Sequence, residues 1–432
     1  MTSPMLQSDI SRERRRSMLA FVSLFLIYSL SYFQRTAIPG TLFNELQQDL
    51  GMTATQIAML GASYLWIYSL MQIFAGILDD IYSGVRVAFF GGVVFAVGAL
   101  GFPLCTRPWM LYCCRMMQGL GASTFYLSML KESERLFGRE NYAVLLGIIY
   151  FIGYGGGMMG TLPLSWASTH WPWQRILLVA GVLSVLVFSC YTLGMRTMTL
   201  PPISQRKISW RPLWLLLKNR LTWTTTFSYT VVFTCYFVMQ TLLGKKFLTD
   251  FAHLSPNQAS SVIFFMTLIS VVGILSISVI CRVTGNYRVP FIKISTATCL
   301  LNSIVFCLAI VCHWPSWVMA MNIMLYAFSA SFPGMFSMTV QEVNRKEDMA
   351  LAAGLVNMVN YLGVVVTSLA VGWYLDWRGG VQTADGVVVY SGGTYLGIVA
   401  CATVFAAIAF VLGWFAIPET KGKYQLPDDG VK

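Results

Sequence analysis

Charge is scarce in this chain. Asp, Glu, Lys and Arg make up 11% of its 432 residues, against roughly 25% in an ordinary soluble domain. With 56% apolar residues and a mean hydropathy of +0.65, that scarcity excludes a water-soluble fold. No Asp or Glu falls deep inside an apolar run: Glu132, Glu134, Glu342, Asp376 and Glu419 all sit at run ends. The histidines, His170, His253 and His313, fall between runs. A mid-membrane proton relay normally needs such titrating groups. Two routes remain: proton coupling through run-end carboxylates, or operation without proton drive. The second is the expectation. Ten cysteines are scattered without a CxxC or His-bearing spacing, so no metal or other cofactor is expected. The cluster of acids, histidines or a nucleophile–base pair that a membrane-embedded enzyme needs is also missing, so the chain does not read as an enzyme. No N-x-Ser/Thr acceptor occurs, which fits a bacterial plasma membrane.

What the chain does have is long apolar runs. A helix needs about 20 apolar residues to cross roughly 30 Å of hydrocarbon. Twelve runs qualify: 18–39, 54–78, 86–105, 108–130, 142–166, 174–194, 221–244, 257–281, 289–311, 315–340, 349–375 and 393–417. All are predicted helices, because an open sheet edge cannot be satisfied in lipid. The run from Met18 is too long for a signal-peptide core and lacks a small-residue cleavage pattern, so it reads as a retained first span. The net charge of +11 raises the question of nucleic acid, but 22 of the 29 Lys and Arg fall in the two tails and the even loops with their flanks. That is a positive-inside pattern, with both termini cytoplasmic and no nucleic-acid partner. The exceptions are Arg35, Arg107, Arg115, Arg175, Lys245, Lys246 and Arg378.

The longest polar interruption, Met195 to Arg220, holds Pro201, Pro202, six basic residues and no acid. It divides the chain into a tail (1–17), a six-helix bundle (18–194), a cytoplasmic linker (195–220), a second bundle (221–417) and a tail (418–432). The halves echo each other. At a constant offset of 207, Gly147 aligns with Gly354, Tyr154 with Tyr361, Gly156 with Gly363 and Trp166 with Trp373. Repeated six-helix halves place a substrate site at their interface, near the midplane.

Between two runs the chain reads GILDDIYSGVR, in which Gly76, Leu78, Asp80, Gly84 and Arg86 follow a G-x-L-x-D…G-x-R pattern. The fourth run carries Leu111, Arg115, Gln118, Gly119, Gly121 and Ala122 in an L-x-x-x-R-x-x-Q-G-x-G-A pattern. Together these resemble signatures of the major facilitator superfamily. The resemblance implies an all-α polytopic membrane protein of 12 transmembrane helices in two pseudo-symmetric six-helix bundles, moving a solute by alternating access. It also implies a gate at Gly76, Asp80, Gly84 and Arg86, with Asp80 capping helix ends and Arg86 joining the charge relay. The second-half counterpart, CRVTGNYR (281–288), has Arg282 where the acid would stand, so a symmetrical lock is not expected. PETKG (Pro418 to Gly422) resembles the tail of sugar porters, whose other signatures are missing. The run GYGGGMMG (153–160) reads as close helix packing through small residues.

The first run, SLSYFQRTAIP, resembles the Y-x-x-R of organic anion symporters, with Tyr32 and Arg35 in the matching places and Gln34 where relatives often carry an acid or His. Arg35 lies 17 residues past Met18, about 25 Å along a helix. Arg115 lies 16 residues before Lys131, about 24 Å along its own. Two arginines at one depth suit one anion, because guanidinium binds carboxylate or phosphate as a fork. The alternatives are snorkelling of Arg35 to headgroups and a structural pair or carbonyl contact for Arg115. Lys131 reads as an inner-rim gate residue or a boundary lysine. Tyr64, Tyr68 and Gln72 recur every four residues, as do Tyr150 and Tyr154; Asn357, Asn360 and Tyr361 share a face, and Gln240 stands in the seventh run. These polar side chains read either as substrate contacts or as interhelical glue. The expected function is a secondary active or facilitative transporter of a small organic anion, a carboxylate, sugar acid or phosphate ester. It is expected as a monomer in the inner-membrane lipid bilayer. The alternatives are an efflux carrier of amphiphilic compounds, favoured by 28 Phe and 23 Met, and a non-transporting sensor with a transporter fold.

Overall fold

The computed structural model describes residues 4–137, 142–196 and 211–425. α1 (Pro4–Thr36) runs into a π-helical turn, Ala37–Thr41, and a short α2 (Phe43–Leu50). α3 (Ala54–Tyr82), α4 (Gly84–Gly101), α5 (Pro108–Phe137), α6 (Tyr142–Met159) continued by α7 (Leu162–Ser168), and α8 (Trp173–Met195) complete the first six spans. A short α9 (Arg211–Lys218) precedes α10 (Arg220–Val238), which passes through a second π-helical turn, Met239–Leu243, into α11 (Gly244–Asp250). α12 (Pro256–Val283), α13 (Val289–Val311), α14 (Ser316–Ser329) with α15 (Pro333–Glu342), α16 (Met349–Arg378) and α17 (Gly392–Phe415) follow. Between α16 and α17, β1 (Val381–Gln382) and β2 (Val388–Val389) pair as a small antiparallel hairpin. Ten helical stretches among the described residues are long and apolar enough to cross a membrane. α5 and α6–α7 occupy the places of the other two expected runs.

The packing repeats. In the first half, α1 packs on α6 and α8, α4 on α5 and α8, and α3 on α5. In the second, α10 packs on α16 and α17, α13 on α14 and α17, and α12 on α14. Counted by span, each second-half pair is its first-half counterpart shifted by six. Of these ten stretches, spans six and twelve are the most peripheral, with 28% and 22% of their apolar windows buried, while span seven is the most enclosed at 78%. The halves meet through α3 on α16 and α6 on α12, two contacts exchanged by the same pseudo-symmetry. Small residues permit the close approaches. A Cβ at Gly156 would fall 2.1 Å from the carbonyl oxygen of Ser29, so α6 lies directly on α1 there.

At the end remote from the chain termini the halves are tied together. The two π-helical turns cross, with a Cβ at Gly40 falling 2.9 Å from the Thr241 backbone. Lys245 donates to the carbonyl of Thr41 at 2.5 Å and lies 3.8 Å from Glu45. The Asp376 carboxylate accepts from the N–H groups of Ala54 (2.9 Å) and Thr55 (2.8 Å), satisfying orphan donors at the start of α3 from the opposite half. Ser165 donates to Asn257 Oδ1 at 3.2 Å.

At the other end the second half holds a charge cluster that the sequence pattern did not suggest. Arg288 pairs with Glu342 at 3.0 Å. Glu419, from the PETKG tail, accepts from the backbone N–H of Arg288 and of Val289, both at 2.9 Å, and so caps α13. Thr420 donates to Glu342. Arg282 does stand in the acid's place, but the acids arrive from α15 and the tail.

Candidate functional site

Pro39 lacks an N–H and cannot continue the helical ladder, so α1 breaks beside it: Ile38 adopts φ −123° and ψ 122°. Carbonyls freed by such a break need partners inside a membrane. Arg115 of α5 supplies them. It is 0% exposed and donates to the carbonyls of Gln34 (3.1 Å) and Ile38 (3.0 Å) on either side of the kink. It donates further to the carbonyl of Leu60 (3.1 Å) and to Gln118 Oε1 (2.7 Å). The Tyr64 ring covers it, 4.6 Å from Cζ to centroid.

Arg35, one residue past the clamped carbonyl of Gln34, lines a cavity between the halves. Tyr32, Thr36, Tyr154 and Gly157 line it with Arg35 from the first half. Phe233, Tyr236, Phe237, Gln240, Thr267 and Tyr361 line it from the second. Its volume is about 30 Å³. That is room for roughly two waters, so the walls are drawn in around the guanidinium. The Arg35 Cζ lies 3.9 Å from the Tyr32 ring centroid, 5.3 Å from Phe237, 5.7 Å from Tyr361 and 6.0 Å from Tyr68, an aromatic cage suited to a cation. It donates to the Tyr361 hydroxyl at 3.2 Å, a bond between the halves. Among the described residues no carboxylate lies within ion-pair distance of it. The side chain is 7% exposed and faces the cavity, not a headgroup layer.

The other expected site residues divide. Tyr32, Tyr154, Gln240 and Tyr361 line the cavity with Arg35, and Tyr68 borders the cage. Gln240 donates to Thr267 at 2.8 Å. Arg115 and Tyr64 lie behind the cavity, and the two arginines do not share it. Gln72 donates to the Tyr68 carbonyl at 3.5 Å, and Asn360 accepts from Thr230 at 2.8 Å. Neither lines the cavity, nor does the half-buried Asn357. Of the expected gate, Gly84 opens α4 against Ser128 of α5, Arg86 donates to the Tyr82 carbonyl at 3.2 Å, and Lys131 is half-buried on α5. Gly76 and Asp80 lie on α3, but their side-chain surroundings fall outside the described residues. Sequence reasoning missed Phe233, Tyr236 and Phe237, and with them Thr36, Gly157 and Thr267. The first three precede Gln240 by seven, four and three residues, a helical stripe that was there to read.

Known proteins align with this architecture. The Major Facilitator Superfamily model matches residues 24–368. The galacturonate transporter of Dickeya chrysanthemi is 28% identical over 163 residues, 38% of this chain and 47% of that protein, so the match spans about half of that relative. The lysosomal dipeptide transporter of Homo sapiens is 22% identical over 408 residues, 86% of this chain and 82% of that one. Among solved structures, a bacterial homologue of the human lysosomal transporter Spinster, in an inward-facing and unoccupied conformation, superposes with a TM-score of 0.70 at 14% identity, covering 93% of this chain and 97% of its own. The nucleoside transporter NupG gives 0.67 at 16% identity over 92% and 98%. The family model spans Arg115 and every residue that lines the cavity, and the chain belongs to the Major Facilitator Superfamily.

Proposed function

We propose that this protein is a secondary active or facilitative carrier of a small organic anion, with Arg35 as its anion-binding residue. Residues 18–194 and 221–417 form the two rocking bundles in this reading, joined by the linker 195–220. The protein acts as a monomer in the inner membrane with both termini cytoplasmic. One observation carries the proposal: a buried guanidinium with no carboxylate partner among the described residues faces a cavity shared by both halves. A buried cation without a counter-charge is costly, and an anionic ligand relieves that cost. The likeness to a galacturonate transporter adds support, since galacturonate is a carboxylate. Arg115 contributes indirectly, by fixing the broken helix that carries Arg35.

Counterflow into proteoliposomes, using carboxylates and phosphate esters, tests the reading. Arg35→Gln is expected to abolish exchange while expression and folding stay near normal. Retained exchange in that variant rejects Arg35 as the anion site. No Asp, Glu or His lines the cavity among the described residues, so uptake is expected to depend weakly on an imposed pH gradient. Strong accumulation driven by acidification rejects the proton-independent drive.

A further inference from the structure

We propose that the ligand is a monoanion: one carboxylate on an aromatic or similarly flat apolar ring, without an ammonium group. This rests on the reading of Arg35 as the anion binder and narrows it.

The charge inventory of the cavity comes first. Arg35 is the single cation among the lining residues, and its planar fork matches one carboxylate. A second negative charge on the ligand would be buried without a partner. No Asp or Glu lines the cavity among the described residues, so a ligand ammonium would meet no counter-charge. Arg35 already occupies the Tyr32, Phe237 and Tyr361 rings, above all Tyr32 at 3.9 Å, and its own charge repels a second cation beside it.

The walls give the shape of the rest. Six of the eleven lining residues are aromatic. Phe233 and Phe237 meet Tyr361 edge-on, at 5.3 and 5.8 Å with planes 89° and 86° apart. A flat ring extends such a cluster by stacking or edge contact. The buried Tyr236 hydroxyl has no hydrogen-bond partner among the described residues and can receive one polar ligand group, but other polar groups of the lining are committed elsewhere. Thr36 donates to the Tyr32 carbonyl at 3.0 Å, and Thr267 to the Ile263 carbonyl at 2.9 Å. The Gln240 amide donates to Thr267 at 2.8 Å. A polyhydroxylated body would bury several hydroxyls against ring carbon, and each one left unpaired counts against binding. The site therefore favours a ring acid over a sugar acid or a zwitterionic peptide.

The test uses the purified full-length protein and five probes: phenylacetate, phenylalanine (which adds an ammonium), benzyl alcohol (which lacks the charge), phthalate (which adds a carboxylate) and galacturonate (polyhydroxylated). Binding is read by thermal stabilisation in detergent, and transport by uptake into proteoliposomes. Phenylacetate is expected to half-saturate at a concentration about tenfold or more below the other four, and to lose binding in Arg35→Gln. Phe233→Ser is expected to weaken phenylacetate by a larger factor than it weakens galacturonate. If galacturonate, phthalate or phenylalanine binds as tightly as phenylacetate and still requires Arg35, the ring-monoacid assignment is overturned and the anion carrier stands. If no anion binds, or binding survives Arg35→Gln in protein that elutes as a folded species, both readings fall.

Discussion

Lys246 of α11 reaches across the molecule to Asn44 of α2, with Nζ 2.9 Å from Oδ1. The same ammonium donates to the carbonyl of Val388 in β2 at 2.6 Å and pairs with Asp250 at 3.0 Å. Asp250 in turn accepts from the Tyr390 backbone N–H (3.1 Å) and the Tyr395 hydroxyl (2.8 Å). The β1–β2 hairpin reaches the first half directly, its Val388 N–H donating to Gln47 Oε1 at 3.3 Å. One lysine thus ties α2, α11 and the hairpin together. Breaking a buried pair by removing one member costs about 3–5 kcal/mol, because the survivor is left uncompensated. Lys246→Met is therefore expected to lower the unfolding temperature more than the double variant Lys246→Met/Asp250→Leu does. A double-mutant cycle followed by thermal denaturation checks this, and equal losses in the single and double variants count against the pairing.

Arg35 and Arg115 are expected to fail in different ways. Arg115 holds the carbonyls of Gln34, Ile38 and Leu60. Each buried acceptor left unmade costs about 1–3 kcal/mol. Arg115→Gln is expected to lower expression and unfolding temperature, with anion affinity reduced only to the extent that the kink shifts. Arg35→Gln is expected to keep its unfolding temperature and lose anion binding. Size-exclusion profiles and ligand-induced thermal shifts on both variants separate the two roles, and an Arg115→Gln protein of native stability argues against the clamp.

The apolar runs were legible as helices, because runs of membrane length have few alternatives. Depth was legible as well: counting residues put Arg35 and Arg115 at one level, and Arg115 does bind the carbonyl next to Arg35. Rotation was not. A helix turns about 100° per residue, and the face presented after Ser31 depends on how α1 breaks at Ile38 and how α6 seats on Ser29. The far-end ties were half visible. Lys245 and Lys246 broke the positive-inside pattern, and a buried, paired role is the physical reason a lysine stands on the wrong side. Their partners, Asn44, Glu45 and Val388, lie on segments too short or too polar for periodicity to place.

The tail after α17 is expected to stabilise the second half. Glu419 accepts three backbone N–H groups, from Arg288, Val289 and Lys421, and Gln425 N–H donates to the Glu342 carbonyl at 2.8 Å. Losing a cap of this kind costs about 0.5–2 kcal/mol. Glu419→Ala is expected to lower the unfolding temperature modestly and to speed amide exchange at the start of α13. Hydrogen–deuterium exchange over residues 288–293 is the readout, and unchanged protection there rules out the cap.

Asp376 is expected to affect the conformational balance more than the fold. Its carboxylate caps α3 from α16, so the contact exists only while the far ends of the halves are together. Alternating access requires those ends to part, and a bond present in one state alone biases the equilibrium by its own free energy. At about 0.5–2 kcal/mol for a cap, Asp376→Ala moves the population of the far-closed state by roughly 2- to 30-fold. Asp376→Asn keeps one acceptor oxygen and is expected to fall between. Spin labels at the exposed positions Gln48 and Thr383, one on each half, report the separation as a distance distribution. A longer-distance component should grow in the order wild type, Asp376→Asn, Asp376→Ala. Identical distributions in all three would mean that Asp376 steadies the start of α3 equally in both states, and that the remaining far-end contacts hold the closure without it.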